Sequence, residues 1–189
     1  MNVLLTGATG KFGQAILSEL NDWNVYTLQP EAPKELSKWL NCDLMEPGQT
    51  VRAVHTLCNL LEESKLKAVI HAAEYDFRAD ARILNVFDLE KTFRLHVFEP
   101  FILTKYLVEF GLIEWNGVAI WLDTSMVSIS WVAKTTMEPV ISSLTTMLPS
   151  IFQHKFIKCE EANRIGATQQ TAKEIRRLLC TLSQEGHQA

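Results

Sequence analysis

The hydrophobic pattern of this chain switches repeatedly between a strand period and a helix period. Val3 to Thr6 is an apolar run of strand length, and Phe12 to Leu20 puts Phe12, Ile16, Leu17 and Leu20 on one helical face. Trp23 to Leu28 predicts a second strand, Pro30 and Pro33 interrupt the regularity, and Asn41-Cys42-Asp43-Leu44 ends a third. Pro47 opens a helix in which Val51, Val54, Leu57, Cys58 and Leu61 recur at helical spacing, and Lys67 to Ala73 is a fourth strand. A long helix follows from Asp88 to Phe110, stopped by Gly111, then a fifth strand at Val118 to Leu122 and a helix at Ala133 to Leu148. Phe156 to Cys159 makes a sixth strand and Thr171 to Leu182 a last helix. With no internal repeat, low-complexity tract or linker, this alternation predicts a single α/β domain over residues 1–189. Its centre is a doubly wound parallel sheet of about six strands.

The first strand runs into Thr6-Gly7-Ala8-Thr9-Gly10-Lys11-Phe12-Gly13, where three glycines recur at three-residue spacing before the helix begins. At such a turn one glycine permits the bend, one lets the backbone approach a pyrophosphate, and one lets helix and strand pack closely. The phosphates then rest on free N–H groups at a helix end that carries roughly half a positive charge. A nucleotide site is therefore predicted here; the plainer reading is a tight strand-to-helix turn without ligand.

Composition narrows the classes of function. The chain of 189 residues is 47% hydrophobic and 21% charged, with a formal net charge of -4, a globular balance that argues against nonspecific attraction to nucleic acid or to anionic membrane. No apolar run approaches the roughly 20 residues that span a bilayer, so a soluble, cytoplasmic protein is expected. Cys42, Cys58, Cys159 and Cys180 form no CxxC pair and have no histidine at ligand spacing, which reads as free thiols with no metal site.

Together these separated features resemble the short-chain dehydrogenase/reductase superfamily over most of the chain. Thr6 to Gly13 is similar to the glycine pattern of its extended and atypical members, and Asp43-Leu44 to its adenine-contacting acidic pair. Val69-Ile70-His71-Ala72-Ala73 resembles the motif that ends the fourth strand. Leu95 to Thr104 resembles the helix with the catalytic Asn, and Lys134 to Glu138 the stretch from the catalytic Lys onward. The resemblance implies a Rossmann fold and NAD or NADP held by Gly7, Thr9, Gly10, Lys11, Phe12, Gly13, Asp43, Leu44, Ala72, Ala73 and Lys134. It also implies a small carbonyl substrate and a homodimer formed by the two long helices.

The departures from the family pattern fall in its catalytic half. Active members place a Tyr four residues before the Lys as general acid/base, and here that position is Ser130. A serine hydroxyl is a far poorer acid than a phenol, whose pKa near 10 an adjacent ammonium can lower. His96 occupies the Asn position, as a proton carrier or as a structural core residue. Ser125 is the candidate for the family's carbonyl-polarising Ser, and Tyr75 is the one tyrosine near a nicotinamide position. The segment Glu160 to Ala167 runs almost directly into the last helix, so the fold reads as truncated at its C-terminal end, without a closing lid. Three readings stay open: a dinucleotide-binding relative with weak or no carbonyl/alcohol oxidoreductase activity, an active enzyme with a rearranged site, and an interaction or regulatory module on the same fold. Neither NAD nor NADP is favoured by the end of the second strand, which offers Gln29 before Pro30.

Overall fold

The computed structural model describes residues 1–32, 38–74, 85–124, 138–143, 146, 153–159 and 166–185. Its strands are β1 (Asn2–Thr6), β2 (Asn24–Gln29), β3 (Trp39–Asn41), β4 (Leu66–His71), β5 (Ile113–Thr124) and β6 (Gln153–Cys159). They form one sheet of order β3-β2-β1-β4-β5-β6, and every neighbouring pair is parallel. Parallel strands need crossovers that return the chain to the same edge. Helices α1 (Lys11–Glu19), α2 (Gln49–Leu61), α3 (Val86–Phe93) and α4 (Glu99–Glu109) lie in such crossovers, and α5 (Ala167–Glu185) follows β6.

Both faces of the sheet are covered, which explains the near-continuous apolar runs of β1 and β4. Side chains alternate: Leu4, Val69, Ala119 and Trp121 pack on one side with Val54 and Leu57 of α2 and Leu103 and Leu107 of α4. Val3, Leu5, Ile70 and Ile120 face the other side, against Ile16 of α1 and Ile175 and Leu179 of α5. Ile141, in a short helical stretch over 138–143, joins the first of these cores.

Several boundaries differ from the sequence expectation for identifiable reasons. The third strand ends at Asn41 instead of running to Leu44, because Asp43 turns the chain with its carboxylate: Met45 N–H donates to Asp43 Oδ1 at 2.8 Å. Helix α2 starts two residues after Pro47, behind a left-handed Gly48 (φ +77). The fourth strand stops at His71, leaving Ala72 and Ala73 just beyond it. The fifth begins at Ile113 rather than Val118: a break in register carries Asn116 (φ +64) and Gly117, and it hides the strand's beginning from any period-2 pattern. The sixth begins at Gln153 rather than Phe156, its first residues being polar on a sheet edge. The last helix spans Ala167–Glu185 and so exceeds the Thr171 to Leu182 pattern at both ends.

The long helix starts at Val86, not Asp88, because Asn85 caps it by accepting from Asp88 N–H at 3.0 Å. Val86 and Phe87 are 69% and 61% exposed, so they contribute nothing to the amphipathic signal. Between α3 and α4 the helix widens into a π segment, Arg94–Phe98, in which Glu99 N–H donates five residues back to Arg94 O. Pro100 supplies the cause: it has no N–H for the carbonyl of His96, and its ring crowds that carbonyl. Val97, Leu107 and Ile141, on the helices that the resemblance assigns to a dimer, are buried inside the monomer.

Candidate functional site

The chain leaves β1 toward β2 and β3 on one side and returns through β4 on the other, so β1 and β4 flank the point where strand order reverses. Crevices outside the carboxyl ends of strands at such a point are where doubly wound sheets take ligands. A cavity of about 270 Å³ lies there, lined by the β1–α1 turn, the ends of β2 and β4, and residues 42–45.

The turn is locked by its own backbone. Gly7 is left-handed (φ +69), and a Cβ on it would lie 2.5 Å from Ala73 N and Cα. A Cβ on Gly13 would lie 2.1 Å from Gly7 O. Both glycines are therefore required by the packing of α1 against the ends of β1 and β4. Gly10 differs: its φ is -73, and the nearest atom to an added Cβ is Gly7 O at 3.4 Å. Thr6, itself buried, accepts from Ala72 N–H and Ala73 N–H at 3.2 Å each and ties the end of β4 to that of β1.

The first intrahelical bond of α1 runs from Gln14 N–H to Gly10 O, so the N–H groups of Lys11, Phe12 and Gly13 have no acceptor within the helix. No acidic side chain occupies the first turn to neutralise this end. The turn therefore offers an anion site of the kind phosphate groups occupy.

Of the residues named from the sequence, Gly7, Thr9, Gly10, Lys11, Phe12, Asp43, Leu44, Ala72 and Ala73 line this one cavity. Gly13 does not; it serves the close approach of helix and strand. Lys134, Ser125, Ser130 and Tyr75 lie outside the described residues, as do residues 160–165. His96 is buried within the π segment, and the adjacent Leu95 reaches the cavity. Leu28, Pro30, Cys42, Met45 and Glu74 also line it, contributed by positions that carry no motif. Gln29 lines it too, and its side chain holds an unusual position: 4% exposed, with Nε2 donating to Glu31 O at 3.0 Å and Oε1 without a partner among the described residues.

Nearby polar groups are structural. Burial, with the Glu99 charge second, pushes the Cys42 thiol up to about 12, so it stays protonated and unreactive. Glu99 is itself buried, accepting from Thr50 Oγ1 at 2.6 Å and pairing with Arg94 at 3.2 Å. His71 shares a 2.9 Å hydrogen bond with Thr104 Oγ1 and stacks on Trp121 at 5.1 Å. Burial first, then the neighbouring His154, pushes its pKa down to about 3, so it is neutral at pH 7. Among the described residues no cluster of ligating side chains could hold a metal ion, and no helix is long and apolar enough to cross a membrane.

No protein-family model and no curated protein matches this chain. Solved structures do. An oxidoreductase (short-chain dehydrogenase/reductase) from Brucella ovis superposes with a TM-score of 0.77 at 19% identity, over 94% of this chain and 92% of that one. A metagenomic short-chain oxidoreductase in complex with NADP gives 0.77 at 13%, over 95% and 90%. An NADPH-bound carbonyl reductase from chicken fatty liver gives 0.71 at 11%, over 94% and 90%. The six-stranded parallel sheet with flanking helices is the Rossmann-like fold of the short-chain dehydrogenases/reductases.

Proposed function

We propose that this chain is a short-chain dehydrogenase/reductase-like protein that binds a nicotinamide dinucleotide in the β1–β4 crevice, with weak or no carbonyl/alcohol oxidoreductase activity. The observation that carries the reading is Gly10. Gly7 and Gly13 have packing reasons to be glycine, whereas Gly10 lines the cavity and a Cβ there meets nothing closer than 3.4 Å. A missing side chain that the fold does not need, beside three N–H groups without helical acceptors, suits a pyrophosphate that approaches the backbone. When bound, such a dinucleotide supplies a hydride donor or acceptor. In this reading the chain's own part is to hold the phosphates at the turn, wall them with Ala72 and Ala73, and seat the adenosine against Asp43 and Leu44, with Lys134 as a further contact. NADP and NADPH in the two structures named above, which share the fold, support the class of ligand.

Weak catalysis follows from Ser130 at the position of the family's acid/base Tyr, since positioned proton transfer contributes roughly 10²–10⁴-fold. An active, rearranged site built from Lys134, Ser125, His96 or Tyr75 is the second reading, favoured by buried His96 on a π segment whose Leu95 lines the cavity. Self-association belongs to the first reading as well, carried by the exposed apolar side chains Val86, Phe87 and Phe98. A reducing, cytoplasmic setting suits the four free cysteines.

Calorimetry with NADH and NADPH, followed by NAD(P)H absorbance with a panel of aldehydes and ketones, tests these readings. The expected result is binding at micromolar to millimolar concentration with little or no turnover. Turnover at ordinary enzymatic rates that vanishes on Lys134→Ala would establish the rearranged enzyme instead.

A further inference from the structure

Resting on the reading of the cavity as a dinucleotide site, we infer that Glu99 is a positioning residue for the adenosine end of the ligand. It is not among the side chains that line the cavity; its buried carboxylate fixes two of the walls relative to each other. One wall is Leu95, on the π segment, and the other is the run Asp43-Leu44-Met45. Glu99 holds the first wall twice over. Its N–H donates to Arg94 O across the widened turn, and its Oε1 pairs with the Arg94 guanidinium at 3.2 Å. Main chain and side chain together clamp Glu99 to the segment that carries Leu95.

The second carboxylate oxygen reaches the other wall. Oε2 accepts from Thr50 Oγ1 at 2.6 Å, and Thr50 lies on the first turn of α2. On the same turn Gln49 Oε1 accepts from Asp43 N–H at 2.8 Å, and Asp43 O in turn accepts from Glu46 N–H at 3.1 Å. The turn at Asp43 to Glu46 therefore follows wherever the start of α2 goes. Helix α2 has little of its own to fix that start: its N-cap is Gly48, without a capping side chain, and its first turn holds no acid. A capping side chain or a nearby carboxylate ordinarily serves the free N–H groups of a helix start. Glu99 brings a carboxylate to this turn from another helix. A buried ion pair gains little stability over an apolar residue of the same size; what this one adds is geometry, since each oxygen is held by a different element. Walls set before the ligand arrives spare binding the cost of ordering them.

The inference is tested by titrating ADP and NAD⁺ into the wild-type protein and Glu99→Gln, with inorganic pyrophosphate measured as a competitor of ADP; none of these needs turnover. Glu99→Gln keeps the shape of the side chain and removes the charge that holds Arg94. ADP and NAD⁺ affinity should fall by roughly five- to twentyfold, while pyrophosphate, held by the glycine turn alone, should change by less than about twofold. A carboxylate that only supported the fold would lower the unliganded melting temperature and leave the ratio of ADP to pyrophosphate affinity as it is in the wild type. Thr50→Val cuts the tie to α2 while leaving Glu99 paired with Arg94, so it should reproduce the selective loss, and it decides the matter should Glu99→Gln fold poorly. An unchanged ADP-to-pyrophosphate ratio in the folded variant would overturn the inference and leave the proposed dinucleotide site intact. A wild-type protein that binds neither ADP nor NAD⁺ would overturn both.

Discussion

Among the three glycines of the β1–α1 turn, only Gly10 has room for a side chain, and this separates what the fold requires from what a ligand requires. Gly13→Ala pushes a Cβ to 2.1 Å from the Gly7 carbonyl, and Gly7→Ala adds a left-handed φ to a 2.5 Å backbone clash. Each should cost about 1–3 kcal/mol or more in denaturant unfolding, whereas Gly10→Ala should cost under about 1 kcal/mol at its helix-cap position. Equal losses at all three positions would refute the distinction. The spacing of these glycines was legible in the sequence, but their separate reasons were not, since a motif records the absence of side chains and not what would have struck them. Gln29 was legible only as a polar residue of neither cofactor preference. Its amide is oriented by the Glu31 carbonyl, a contact no periodicity encodes. Buried His71 carries a pH signature. Its folded pKa is pushed down to about 3, against about 6.5 unfolded, so between those values the unfolded chain binds a proton that the folded chain does not. Stability is thus complete above about pH 6.5 and is lost as pH falls, by about 2 kcal/mol between pH 7 and 5 from this group alone. His71→Gln should flatten the measured dependence by that amount; an unchanged slope would show that His71 is protonated in the folded state.

At the scale of elements, the site is a junction of three chain segments held by few bonds. Thr6 at the end of β1 accepts from both residues that follow β4, and it is 1% exposed. Thr6→Val keeps the volume and removes the acceptor, so Ala72 and Ala73 lose it inside the fold. The expected cost is about 1–3 kcal/mol in unfolding free energy, together with weaker dinucleotide binding as the wall of the cavity loosens. Unaltered stability would mean that water replaces the hydroxyl without penalty. Elements were predicted best where burial leaves an unbroken pattern, the continuous apolar run of β1 and the helical period of α1 and α2. They were predicted least well where local events break the period: the Asn116–Gly117 irregularity in β5, the exposed Val86 and Phe87 at the start of α3, and the π segment before Pro100. That π segment was open to a reading from Pro100, which removes one helical donor and crowds the preceding turn.

Over the whole molecule, sheet order determines where a ligand can sit. Strands β2 and β3 lie on one side of β1 and β4 to β6 on the other, and the crevice between the two halves collects nine of the sequence-named contacts in one cavity. In the resemblance drawn from the sequence, the departing positions, Ser130 among them, are those it assigns to proton transfer, so binding and catalysis are separable expectations for this chain. Dinucleotide binding at the glycine turn can be read from the thermal stabilisation that millimolar NAD⁺ gives to the wild-type protein and to Gly10→Val, with the unliganded melting temperature of each as control. Binding there requires that ligand raises the melting temperature of the wild type, that Gly10→Val folds with a similar unliganded value, and that ligand does not raise it in that variant. A wild-type protein that NAD⁺ and NADP⁺ both leave unchanged, or a Gly10→Val protein stabilised as much as the wild type, would contradict it.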